Sequence, residues 1–176
     1  MKLHLGCGNK HIDGFINIDA RQLPGVDVIC DVNSLPQYKN DTIDLIYSSH
    51  VLEHTRRHEY MGILKRWCEL LKEGGMLRLA IPDMEQVIKH YNIHGDLRLL
   101  RGFLWGGQTY NENYHYMGWD FKTIKEDLQE VGFKTVERYD WRNTEHSHID
   151  DFSQCYLPHM EKEFGMLMSL NVEAIK

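Results

Sequence analysis

The sequence lacks what would mark a membrane protein, a nucleic-acid binder or a disulfide-stapled fold. No apolar run approaches the roughly 20 residues a membrane helix needs. No stripe of clustered Lys and Arg is present, and the net charge is −6 with a pI near 6.0. A general grip on phosphate backbones is thereby excluded, because such affinity comes largely from clustered cations. The four cysteines, Cys7, Cys30, Cys68 and Cys155, form no CxxC pair, and no secretory leader is recognisable. That pattern is expected of reduced thiols in a cytoplasmic protein. Repeats, low-complexity tracts and breaks in composition are missing as well. The 176 residues, 42% of them hydrophobic, are therefore expected to form a single domain over 1–176 with a sizeable core.

What is present begins at once. Leu3-His4-Leu5 reads as a short strand entering the turn Gly6-Cys7-Gly8, where glycine admits positive φ and lets a ligand lie against bare amides. Phe15 to Ile18 is a second apolar run closed by Asp19, where a carboxylate can accept from both hydroxyls of a ribose. Asp27 to Cys30 gives a third strand ending at Asp31, and Ile43 to Tyr47 a fourth. The spacing of Tyr60, Ile63, Leu64, Trp67, Cys68 and Leu71 predicts a helix over about 58–72, stopped by Gly74-Gly75. Met76 to Ile81 is nearly all apolar, as expected of a strand covered on both faces.

Asp83 is placed to cap a helix reaching about Tyr91, with Gln86 set for a capping box. Asp120 caps another, carrying Phe121, Ile124, Leu128 and Val131 inward and ending at Gly132. Phe133 to Tyr139 is a strand, and Met166 to Ile175 a last strand returning beside it. Residues 94–117, rich in glycine, aromatics and histidine, and the polar stretch 140–164 read as substrate-side insertions. The alternation predicts an α/β fold with a mostly parallel sheet and one antiparallel strand near the C-terminus. A parallel crossover ordinarily needs a dozen or more residues. The spans from Gly6 to Phe15 and from Asp19 to Asp27 are shorter, so the first crossovers are expected to be vestigial turns.

Together these segments resemble the class I S-adenosylmethionine-dependent methyltransferases, in particular a small bacterial group often associated with glycan genes. The resemblance rests on Leu5-Gly6-Cys7-Gly8, on Gly14 to Asp19, on Cys30-Asp31-Val32, on Asp44 through His54, on Leu71 to Leu77, and on Ile81-Pro82-Asp83. It implies a Rossmann-like fold with a shortened first crossover and S-adenosylmethionine as cofactor. Leu5, Gly6, Cys7, Gly8 and Asp19 would hold the ribose side, Asp31 and Val32 the adenine, and Ser48 and Ser49 the edge after the fourth strand. It also implies methyl transfer to a hydroxyl or amine of a small molecule, plausibly a sugar or nucleotide-sugar. One departure is His4, which stands where the class usually has an acidic residue. The shortened first element leaves the pocket open or completed by another copy of the chain, which makes a homo-oligomer one expectation.

Each site residue also has a plainer role. Gly6 to Gly8 could be an ordinary turn, and a dinucleotide is the main rival ligand, but His11 stands where the GxGxxG fingerprint needs its third small residue. Asp31 could simply open the turn before Pro36. His50 is the best-placed general base, its alternative being a backbone contact at the strand end, and His54 reads as structural. His115, between Tyr114 and Tyr116, is expected to face the acceptor. Trp105, Tyr110, Tyr114 and Trp119 could stack on a sugar or pack under a loop. His146, His148, Asp150, Asp151 and His159 match no established metal spacing, and no metal is expected there. A cofactor-binding partner without catalysis and a nucleotide-dependent oxidoreductase are the alternative functions.

Overall fold

The apolar runs at the start of the chain become β1 (Lys2–Leu5), β2 (Ile16–Asp19), β3 (Val28–Ile29) and β4 (Ile43–Ser49) in a computed structural model that describes all 176 residues. Helix α1 (Tyr60–Leu70) buries Ile63, Leu64, Trp67, Cys68 and Leu70 along one stripe. Strand β5 (Leu71–Pro82) follows directly, and α2 (Met84–His94) leaves from Asp83. Next come the short α3 (Arg101–Trp105), α4 (Phe121–Glu130) and β6 (Thr135–Arg138). A two-stranded ribbon of β7 (Tyr156–Leu157) and β8 (Met166–Leu167) precedes β9 (Ser169–Ile175).

The main sheet has seven strands in the order β3-β2-β1-β4-β5-β9-β6. The pairs from β3 through β5 are parallel, and β9 runs antiparallel between β5 and β6. One reversed strand near the C-terminus was expected, and it sits inside the sheet. No helix is long and apolar enough to cross a membrane.

Register gives the sheet two unlike faces. Leu3, Ile46 and Leu77 stand in one row, and Leu5, Ser48 and Leu79 in the next. Residues of α1 and α4 close over them in a core of 25 buried side chains. His4, Tyr47, Arg78 and Glu173 form a row on the other face. The crossovers at 6–15 and 20–27 contain no helix to cover it. Segment 141–154 does so instead: Tyr47 donates to Asp151 at 2.5 Å, Arg78 to Glu145 at 2.6 Å, and Asn171 to the Ser153 carbonyl at 2.9 Å. The expected polar excursion over 140–164 is therefore partly interior, with Thr144, His146, Ser153 and Gln154 all buried.

Asn17 explains how the first crossover stays so short. Its amide oxygen accepts from Ile12 N at 2.9 Å and from the His4 ring at 3.1 Å, while its nitrogen donates to the Ile12 and Phe15 carbonyls. One side chain thus does locally what a crossover helix does by packing. His4, in the place of an acidic residue, stacks on Tyr47 and belongs to this clamp.

Three boundaries differ from expectation. Leu71 is already extended, so Gly74-Gly75 do not end α1. They form a bulge in β5, where residues 72–75 oppose Asp44 alone between the pairs Ile43–Leu71 and Leu45–Met76. Asp83 caps α2 through Glu85 N and Gln86 N, but its own N–H bonds to Met168 O at 2.9 Å, which leaves Gln86 nothing to cap. The reciprocal box forms instead at Asp120 and Thr123. The last strand breaks at Met168, whose N–H turns to Cys155 O, so the expected Met166–Ile175 strand splits into β8 and β9.

Candidate active site

The carboxyl ends of β1, β2 and β4 meet at one edge, and there open α/β sheets bind ligands. Leu5 is fully buried, and the chain then turns through Gly6 (φ +63) and Gly8 (φ +54). A Cβ on Gly6 would lie 2.3 Å from a methyl of Val51, so only glycine fits between that side chain and the left-handed turn. Cys7 is buried beside it, and burial pushes its thiol up to about 11, which keeps it an inert neutral group.

Asp19 is 4% exposed. Its Oδ2 accepts from Gly8 N at 2.9 Å, and its Oδ1 from Arg21 N at 2.9 Å and Arg21 Nε at 3.1 Å. Burial alone would raise its pKa, but these donors and the guanidinium charge outweigh burial and hold the carboxyl below its ordinary value. Arg21 in turn stacks on Tyr110, 4.5 Å from the ring centre, and so joins the end of β2 to the 94–117 segment. Asp19→Ala is expected to weaken S-adenosylhomocysteine binding by about 1–3 kcal/mol, roughly 5- to 150-fold, by calorimetric titration. Unchanged affinity would remove Asp19 from the site.

Of the two residues expected at the adenine, Asp31 is exposed and accepts from Asn33 N at 2.9 Å, as a turn-opening residue does. Val32 is buried in the main core, and its carbonyl accepts from Trp67 Nε1 at 2.9 Å. Ser48 and Ser49 point to opposite faces of β4, and both hydroxyls are buried without partners. Orphaned donors at a ligand-binding edge are groups a ligand can satisfy.

Beyond β4 lies a corner that the sequence reading underrated. Glu53 is fully buried, and neither carboxylate oxygen has an aligned donor. His50 Nδ1 is 3.1 Å from Glu53 Oε1 but off the hydrogen-bond line, and His115 Nε2 is 3.9 Å from the same atom. Burial pushes the Glu53 pKa up, yet the charge that His50, His54 and His115 can carry outweighs it and holds the carboxyl down. Burial also keeps His115 low. His50, expected as a base, adopts φ +52 and turns Nε2 to Ser169 Oγ at 3.2 Å. His54, expected to be structural, packs edge-on against His115 with ring centres 4.8 Å apart. Three ionisable residues in five, His50-Val51-Leu52-Glu53-His54 directly after a strand, was the signal for this corner.

Two open depressions flank these groups. One of about 430 Å³ lies between Met84, Phe121 and Arg138, and one of about 320 Å³ runs along Arg101, Trp105 and Gly106 to Gln108. Neither includes the glycine turn or Glu53, so the converging polar groups locate the site better than volume does.

A mostly parallel sheet in this strand order, with a glycine turn and a charged, buried carboxylate at its carboxyl edge, is the architecture of class I S-adenosylmethionine-dependent methyltransferases. Residues 5–138 match the family described as a methyltransferase domain, and the chain belongs to that family: it is an enzyme whose cofactor is S-adenosylmethionine. Several solved structures share the fold. A possible histamine N-methyltransferase of Thermotoga maritima is 12% identical with a TM-score of 0.59, over 99% of this chain and 81% of its own. An S-adenosylmethionine-dependent methyltransferase of Mesorhizobium loti is 17% identical with a TM-score of 0.58, over 99% and 90%. The 1,6-didemethyltoxoflavin-N1-methyltransferase of Burkholderia thailandensis, bound to its substrate and S-adenosylhomocysteine, is 13% identical with a TM-score of 0.57, over 99% and 70%. No curated protein matches the sequence.

Proposed function

We propose that the methyl group goes to a hydroxyl or amine of a small molecule, with a sugar or nucleotide-sugar as the acceptor. The observation that carries this reading is the segment over the Glu53 corner, where Trp105, Tyr110, Tyr114 and Tyr116 are all exposed. The depression at Trp105 adds the Arg101 guanidinium, and a cation beside an aromatic face suits a sugar carrying phosphate. Tyr116 and Met117 donate backbone N–H groups to the Glu53 carbonyl, which anchors this segment over the corner.

S-adenosylmethionine supplies, when bound, a methyl group on a sulfonium sulfur. The chain's task is then alignment and exclusion of water. The glycine turn and Asp19 position the ribose, the aromatic segment covers the acceptor, and the corner around Glu53 and His115 meets the acceptor's reacting group. Incubation with methyl-labelled cofactor and a panel of sugar nucleotides, free sugars and small amines tests the acceptor class. Label in a sugar nucleotide is expected, with Trp105→Ala raising its KM about tenfold and leaving S-adenosylhomocysteine affinity unchanged. Label confined to amines without a sugar overturns the proposal.

A further inference from the structure

The hydrogen bonds around Glu53 fix where the imidazole protons are. His54 Nδ1 lies 3.1 Å from Tyr114 O, and His115 Nδ1 lies 2.9 Å from Phe103 O. A carbonyl only accepts, so both rings donate from Nδ1 and turn Nε2 elsewhere. His50 is fixed by a longer chain of bonds. Asn171 Nδ2 donates to Ser153 O at 2.9 Å, which makes Oδ1 the acceptor for the Ser169 hydroxyl at 2.9 Å. Ser169 Oγ has then spent its proton and must accept from His50 Nε2–H at 3.2 Å. The other ring nitrogen of His50 is Nδ1, which lies 3.1 Å from Glu53 Oε1.

The second ring nitrogens of His50 and His115 thus lie 3.1 Å and 3.9 Å from Oε1 of a fully buried carboxylate whose two oxygens have no aligned donor. An uncompensated buried carboxylate is costly. A cation at the centre removes that penalty. One ligand atom each from Glu53, His54 and His115 already lies within 4.8 Å of the others. Bonds of about 2.1 Å to a metal put ligand atoms roughly 3.0–3.5 Å apart, so modest side-chain rotation closes the set.

We propose that Glu53, His54 and His115, with His50 Nδ1 beside them, bind a divalent transition-metal cation. Two imidazoles and one carboxylate suit manganese, iron, cobalt or zinc, whereas magnesium favours an all-oxygen set. Metal-binding histidines characteristically donate their second nitrogen to a backbone carbonyl, as His54 and His115 do here. What the metal does rests on the function proposed above. An acceptor hydroxyl in an open position loses its proton to water, and its oxygen bonds to the methyl carbon as the C–S bond breaks and the thioether keeps the electron pair. His115 then acts as a ligand and takes no proton.

Metal binding is measurable without turnover. The full chain, stripped with chelator and titrated with Co²⁺, is expected to take up one equivalent with visible ligand-field absorption. Glu53→Gln, His54→Ala and His115→Ala should each weaken uptake about 100-fold or more. His148→Ala and His159→Ala, at exposed positions, should leave it unchanged. Retained S-adenosylhomocysteine binding certifies that each variant is folded, and its loss in the unaltered chain would count against the cofactor reading alone. The proposal is overturned by the absence of stoichiometric Co²⁺ uptake, or by equal uptake in Glu53→Gln and His115→Ala. A ¹⁵N spectrum in which His50 is an imidazolium whether or not metal is added also overturns it, because a proton then fills the corner.

Discussion

Arg78→Ala is expected to lower the unfolding free energy by about 3 kcal/mol, read as a fall in the urea midpoint at unchanged m value. Arg78 is 8% exposed on β5, on the face covered by segment 141–154. Its Nε donates to Glu173 at 2.7 Å and its Nη1 to Glu145 at 2.6 Å, and its guanidinium lies 5.6 Å from the Tyr139 ring centre. Removing the cation strands two carboxylates and opens a space under the sheet. The figure is set at the low end of the range for breaking a buried pair because Glu145 is 40% exposed and recovers water. Arg78→Met combined with Glu173→Leu should restore most of the loss, since replacing both partners leaves little charge unpaired. A loss below about 1 kcal/mol in Arg78→Ala would mean that the ion pairs contribute little and that shape alone holds this face.

That network also shows where the sequence stopped being readable. Apolar periodicity located β1, β2, β4, α1 and α4, because those elements bury ordinary hydrophobic stripes against each other, while α2 was located by its cap at Asp83. The glycine turn and the strand end at Asp19 were legible for the same reason: a strand running into glycines leaves few conformations, and Asp19 closes the next strand. His146, Glu145 and Asp151 were not legible. A buried polar layer has the composition of a solvated loop, and only long-range partners such as Arg78 and Tyr47 tell the two apart. Asn17 was missed because a clamp made of four hydrogen bonds has no periodicity. Glu53 was passed over for its neighbour His50, since nothing local says that a carboxylate beside a strand end will be fully buried. The covering layer reaches the site itself: Phe152, next to Asp151, packs 5.3 Å from the His50 ring. A disturbance under the sheet can therefore reach the corner around Glu53 through one short segment.

Acid should find the same layer first. Between pH 7 and 4 the protein is expected to lose roughly 3 kcal/mol of stability through His146 alone. This histidine is 2% exposed, lies 4.1 Å from the Tyr47 ring centre and meets Phe15 edge-on. Burial, then the Arg78 charge and to a lesser degree His4, lower its pKa to about 4 against the opposing charges of Asp151 and Glu145. A folded pKa below the unfolded value of about 6.5 means that the unfolded chain binds the proton first. The stabilisation is thus complete above pH 6.5, drains as pH falls toward 4, and loses nothing more below that. Burial lowers His4 likewise, which adds to the same limb. Glu145 acts in a second window. Burial would raise its carboxyl, but Arg78 and Lys2 hold it at about 2, so its contribution is lost only as pH falls from about 4.5 toward 2. Urea midpoints measured at each pH from 7 down to 2 separate the two. His146→Gln should flatten the upper limb and leave the lower one in place, whereas an unaltered slope between pH 6.5 and 4 in that variant would show that another group titrates there.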